Sequence, residues 1–140
     1  MEDQFNLERF VAAQEDEIDD VRRELKNGRK TGHWIWFIFP QLRGLGRSGM
    51  ANHYGISSKA EAAAYLRHPV LGPRLIECTE LVNSLEGRPI QSIFGEIDAM
   101  KFRSSMTLFA EADPEAGAFT KALDKYFGSQ RDSLTLDLLG

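Results

Sequence analysis

Cysteine is almost missing from this chain. Cys78 stands alone among 140 residues, so no internal disulfide can form. A lone thiol fits a reducing compartment, and a cytoplasmic location is the expectation. Its setting, "RLIECTELV", reads as a helix face and predicts an inert core thiol rather than a nucleophile. Histidine is scarce as well. His33, His53 and His68 lack H-x-x-x-H spacing, so no metal site and no cofactor are expected. No window approaches the roughly 18 apolar residues of a membrane helix. The segment "MEDQFNLERF" lacks the basic start and small-residue cleavage site of a signal peptide. Basic excess is missing too: 17 Lys and Arg against 21 Asp and Glu give a net charge of -4. Neither nucleic acid nor an anionic membrane is therefore an expected partner.

What is present is a core and a succession of helix signals. At 42% hydrophobic the chain has the composition of an ordinary globular protein, long enough for one core. No linker, repeat or composition shift divides it, so residues 1–140 read as one α-helical domain. The acidic run "QEDEIDDVRREL" places acids ahead of Arg22, Arg23 and Lys26, the order of a solvated helix with its dipole satisfied. Asn6 is the expected cap of a first helix from Leu7, with Phe5 and Phe10 as a hydrophobic staple. Phe10, Ile18, Val21 and Leu25 carry that helix to a stop at Gly28. Ser58 and Glu61 form a capping box, and Pro69 suits a first helical position. Leu71, Leu75, Cys78, Val82 and Leu85 share a face up to Gly87. Asp98, Asp113 with Pro114, and Asp132 are further expected starts, and Gly128 a further stop. The expectation is an all-α, compact bundle of about six to eight helices.

The apolar run "WIWFIF", Trp34 to Phe39, has the length and composition of a buried strand. No second strand is at hand to pair with it, and an unpaired strand would bury unsatisfied backbone groups. It is therefore read as a short buried helix. After it, "GLGRSG" (Gly44 to Gly49) literally spells G-x-G-x-x-G. The dinucleotide fingerprint also requires a preceding strand, a following helix and an acid about 20 positions on. Here "MANHYGISS" follows, a poor helix start, so a nucleotide-binding β-α-β unit is not expected. The loop can still hold an anion. Glycines such as Gly44 and Gly46 let amide groups turn inward together, Arg43 and Arg47 add charge, and Ser48 adds a hydroxyl. Trp34, Trp36 and Tyr54 supply flat faces for stacking. The alternative is a plain glycine-rich connection with solvated arginines and a core tryptophan pair.

In "DAMKFRSSMTLF", Phe102, Met106 and Phe109 make one helical stripe, and Ile97 and Leu108 a second. Lys101 and Ser105 fall between them, with Asp98 at the N-terminal end and Ser104 beside the arc. Arg103 lies opposite and reads as solvated. A lysine among core residues must be paired, neutral or facing a cavity, because an unpartnered buried charge costs several kcal/mol. Two readings stand: an i,i+3 pair with Asp98 at an exposed edge, or a polar group beside a ligand cavity.

The blocks "HWIWFIFPQLRGLGRSGMANHYGI", "EAAAYLRHPVLGPRLIECT", "IFGEIDAMKFRSSMTLFA" and "YFGSQRDSLTLDLL" resemble a bacterial family of unknown function, sometimes labelled "calpastatin". The resemblance spans about residue 5 to the end and implies a compact all-α domain, with no activity to carry over. The label itself fits poorly, because that inhibitor is largely disordered and this chain can bury a core. A remoter likeness of shape is to bacterial proteins that cleave N-glycosidic bonds in ADP-ribose and riboflavin metabolism, and fold does not fix function. The residues thus point to a pocket for a small anionic metabolite, a nucleotide or sugar phosphate. Lys101, Arg43 and the glycine loop would meet the charge; Trp34, Trp36 and Tyr54 would wall the pocket. Gln41, Ser48, Ser104 and Ser105 would orient the ligand. If bonds are cleaved there, hydrolysis or glycosidic cleavage is the expected class, with Asp98 or His33 as general acid or base. The competing role is a protein-interaction module using the Trp-rich segment.

Overall fold

Five of the ten helices among the described residues begin where a side chain satisfies free amide groups of the first turn. The structure, a computed structural model, describes residues 3–140; Met1 and Glu2, at the head of the expected domain, lie outside it. The first helix, α1 (Glu8–Glu15), is capped from a distance. Both carboxylate oxygens of Asp3 accept from the Leu7 and Glu8 amides, at 2.7 and 2.8 Å. Asn6, the expected cap, instead makes a left-handed turn at φ 54°, a conformation asparagine tolerates. The long first helix expected from the sequence is two helices. The Glu17 amide turns back to the Gln14 carbonyl at 3.0 Å, and α2 (Ile18–Lys26) starts afresh. On one continuous helix Phe10 and Ile18 would point about 80° apart. The break lets both face the core, where both are buried.

The apolar run forms α3 (Ile35–Ile38), a single buried turn, as expected. Then comes α4 (Gly49–His53), a helix in a segment read from the sequence as a poor helix start. Ser48 starts it by accepting from the Ala51 amide at 3.0 Å. Helix α5 (Lys59–Arg67) is capped by Ser58 as read, the Glu61 amide donating to it at 3.1 Å. Pro69 stays in the turn before α6 (Leu71–Asn83), where His68 Nδ1 accepts from the Val70 and Leu71 amides. Next are α7 (Ile90–Phe94) and α8 (Glu96–Ala112), joined by Gly95 at φ +81°. Asp113 does not start a helix. It closes a turn on Ala116 and Glu115, and α9 (Gly117–Phe127) begins beyond it. Asp132 caps α10 (Ser133–Leu139), accepting from the Thr135 amide at 3.1 Å.

Among the described residues there are ten helices, of which α3, α4 and α7 are single turns of four or five residues. The protein is all-α. The only β pairing among those residues is one parallel bridge between Leu42 and Ile56. Helix α8 runs through the middle, packed by α3, α5, α7, α9 and α10. Phe102 sits at its centre, ring centroids 4.9 Å from both Phe39 and Phe94. The buried hydrophobic side chains form one contiguous cluster around it. Cys78 is inside that cluster, and burial pushes its thiol up to about 12.

Candidate functional site

The segment from Leu42 to Ile56 leaves the core and returns to its starting point. At its neck the Ile56 amide donates to the Gln41 carbonyl at 3.0 Å, and the Arg43 amide to the Ile56 carbonyl at 2.8 Å. Gly44 takes φ +105°, which few other residues adopt. A Cβ on Gly46 would lie 2.6 Å from the Ala51 side chain, so glycine is what lets the loop rest on α4. The loop faces the first turns of α8 and the start of α10. Between these elements lies an open cleft of about 370 Å³. Its walls are apolar: Leu45, Ile97, Met100 and Leu134. Its polar groups are Gln41, Lys101, Arg103, Ser104 and Asp132, with Gly46 at the edge.

Gln41 and Lys101 also line a second, much smaller space. This chamber, about 10 Å³, is completed by Trp36, Tyr54, Ala51, Gly55, Ile35 and Phe39. That is about the room one water occupies. The Trp36 indole N–H is buried and has no acceptor among the described residues. Trp34, two residues earlier, is fully buried and does have one, Glu24 Oε1 at 3.0 Å. The same oxygen accepts from the Thr31 and Gly32 amides at 2.7 and 2.8 Å. Burial opposes the Glu24 charge, but these donors outweigh it and hold the carboxyl below its ordinary range. Glu24 thereby fixes the turn that delivers α3, and with it Trp36.

One carboxylate serves two lysines beside the cleft. Asp98 Oδ2 is 2.7 Å from Lys30 Nζ, and Asp98 Oδ1 is 3.8 Å from Lys101 Nζ. Lys30 also donates to the Gly32 carbonyl at 2.5 Å. Lys101 has the looser partner and lies 5.2 Å from the centre of the Trp36 ring, so the group carries one net positive charge toward the cleft. Asp132 is engaged within the protein. Its Oδ2 accepts from Ser104 Oγ at 3.1 Å and from Thr135 Oγ1 at 2.5 Å as well as the Thr135 amide. Arg103 donates to the Gln130 and Arg131 carbonyls and holds the approach to α10.

With this geometry in hand, the likeness to known proteins is clear in shape and silent on activity. Residues 4–139 match the family described as "Protein of unknown function (DUF1810)". The chain belongs to the DUF1810 family. It is also similar to a solved structure, the crystal structure of the conserved hypothetical protein Rv1873 from Mycobacterium tuberculosis. The two are 55% identical, each is covered to 98%, and the TM-score is 0.97. No curated protein matches the chain.

In this DUF1810 chain the residues singled out from the sequence divide into two groups. Gln41, Gly46, Lys101 and Ser104 line the cleft; Trp36 and Tyr54 line the chamber with Gln41 and Lys101. The others have different positions. Trp34 is sealed in the core. Arg43 is exposed and donates to the Gly55 carbonyl at 3.1 Å. Gly44 makes the turn, and Ser48 caps α4. Ser105 is fully buried, its hydroxyl without a partner among the described residues. His33 is exposed and outside both linings. Asp98 is not a cap, because α8 begins two residues before it; its first turn holds Asp98 against Lys30. Arg103, read as solvated, is half-buried on the cleft wall. Ile97, read as a core residue, is 72% exposed. The apolar walls Leu45, Ile97, Met100 and Leu134 were missed as site residues, because apolar side chains in a sequence read as core. Among the described residues no three His, Cys, Asp or Glu side chains could hold a metal ion, and no helix is long and apolar enough to cross a membrane.

Proposed function

We propose that the cleft between the glycine loop, α8 and α10 binds a small anionic molecule, a metabolite phosphate or carboxylate. The observation that carries this reading is the sharing of one carboxylate. Asp98 is committed to Lys30 at 2.7 Å, which leaves Lys101 as an incompletely neutralised cation on the wall of both spaces. A half-desolvated ammonium attracts an anion more strongly than one in bulk water. Gln41 adds an amide that can donate or accept. Support for binding exceeds support for bond cleavage, since Asp98 is ion-paired and His33 is outside the lining. Docking of a partner by the Trp-rich segment has less support, because Trp34, Ile35, Phe37, Ile38 and Phe39 are all buried.

The test is a thermal-shift panel of nucleotides, sugar phosphates and small carboxylates on the native protein and on Lys101→Met. A ligand at 100 times its dissociation constant stabilises by about 2.7 kcal/mol. The expected result is at least one anion that stabilises the native protein and loses that effect in Lys101→Met. A panel in which every effect is the same in both proteins would remove Lys101, and the reading, from consideration.

A further inference from the structure

We infer that this protein docks an acidic segment of another protein along an apolar stripe that runs from the cleft onto α10. The inference goes beyond the small-anion reading. It takes in Leu138 and the cations of the glycine loop, which lie outside the cleft lining.

The stripe is the first observation. Among the described residues the four barest large hydrophobic side chains are Ile97, Met100, Leu134 and Leu138, exposed at 72, 70, 62 and 55%. Single exposed apolar residues are ordinary, but four gathered together mark a contact surface. Ile97 and Met100 share the first turns of α8, and with Leu134 they wall the cleft. Leu138 stands about one helical turn beyond Leu134, on the same flank of α10. Its Cδ1 lies 3.8 Å from where a Cβ on Gly44 would be, so the stripe follows the loop past the cleft. A ligand that fills only the cleft leaves Leu138 bare.

Charge selects the occupant. Lys101 and Arg103 line the cleft from α8, and Arg43 and Arg47 are exposed on the loop that faces it. Among the described residues neither Arg43, Arg47 nor Arg103 pairs with a carboxylate, and Lys101 has only the 3.8 Å contact with Asp98. Asp132 is the carboxylate on the cleft wall, and it is committed to Ser104 and Thr135. Glu96 and Asp137 are exposed outside the lining. The stripe therefore has positive surroundings on a chain of net charge -4. A segment with Asp or Glu beside its apolar side chains complements both features. A second copy would set the four cations against their like, with Glu96 and Asp137 to oppose them. A bilayer is flat and meets only the rim of a concave cleft of about 370 Å³, and an anionic one repels the chain as a whole.

The probe is a displayed library of random peptides about twelve residues long, selected on the full native chain. The expected product is a family with apolar side chains next to Asp or Glu, whose binding weakens as salt is raised. Leu138→Gln should weaken such a peptide about tenfold, and Arg47→Gln about threefold. Both side chains are exposed, so both variants should melt at the native temperature. On the native protein the same peptide should move the ¹³C–¹H methyl signals of Met100 and Leu138. A selection that yields no binder, or binders without acids, overturns the inference. So does a peptide that leaves those methyl signals in place or ignores Leu138→Gln. A native dimer in sedimentation that Leu138→Gln dissolves would give the stripe to a second copy. Flotation with phosphatidylglycerol vesicles that Leu138→Gln abolishes would give it to a membrane. The small-anion reading is judged apart from this, by Lys101→Met in the metabolite panel, where Leu138→Gln should change nothing.

Discussion

Lys30 and Lys101 share Asp98, and removing each should have very different consequences. Lys30 has a side chain only 7% exposed, a 2.7 Å ion pair and a hydrogen bond to the Gly32 carbonyl. Lys30→Met leaves Asp98 with its weaker partner. Breaking a buried pair costs about 3–5 kcal/mol. Asp98 is 20% exposed, so water recovers part of this, and about 2–3 kcal/mol is expected. Lys101 is 25% exposed and 3.8 Å from the carboxylate, in the regime of surface bridges worth about 0–1 kcal/mol. After Lys101→Met, Asp98 still holds Lys30. In a chain of this length 1 kcal/mol moves the melting temperature by roughly 3–5 °C. Lys30→Met should therefore lower it by about 6–15 °C, and Lys101→Met should change it by no more than about 5 °C. Thermal denaturation by circular dichroism, with urea unfolding as a second measure, separates the two. A Lys101→Met protein that is as damaged as Lys30→Met would refute the division into a structural lysine and a ligand-facing one.

Three further outcomes are expected. Glu24 has a depressed folded pKa, so its stabilisation is present above the unfolded value, about 4.3, and is lost as pH falls through the folded one. Urea midpoints between pH 7 and pH 3 should thus fall less steeply in Glu24→Gln than in the native protein; parallel curves would refute this. Gly46→Ala places a Cβ 2.6 Å from the Ala51 side chain and should cost about 1–3 kcal/mol in the same assay, with an unchanged midpoint as the contrary result. Cys78, buried and pushed up to about 12, should resist an aromatic disulfide reagent at pH 8 in the native state and react once unfolded. Rapid native labelling would contradict its placement in the core.

The all-α architecture was legible because it is written in local terms. Ser58, Asp132, Gly28 and Gly128 punctuate helices through their own chemistry, and the structure uses each as read. The misplaced starts share one cause: several polar residues compete for the same amides. Asp3 displaces Asn6, His68 displaces Pro69, and Gly95 frees Asp98 for an ion pair. The polar half of the candidate site was legible in part: Lys101, Gln41, Gly46 and Ser104 were singled out, whereas Arg103 read as a solvated side chain and Asp132 as a helix cap. The apolar half was hidden. Helix α8 buries residues all round its later turns, so periodicity could not reveal that Ile97 and Met100 at its start remain uncovered. Charge alone also failed to separate Arg43 from Lys101, because only the tertiary fold decides which cation faces the cleft.

The neck at Leu42 and Ile56 has a consequence for how such a site can diversify. Two backbone hydrogen bonds close the excursion where it leaves the core, so its ends stay fixed whatever its tip contains. Gln41 stands at that anchored point, whereas Leu45 and Gly46 ride on the free arc. Insertions or exchanges between them add little closure entropy, which grows only slowly with length. A relative can therefore reshape one wall of the cleft by rewriting a few residues of the arc. The helices, the lysine pair and the amide at the neck stay as they are.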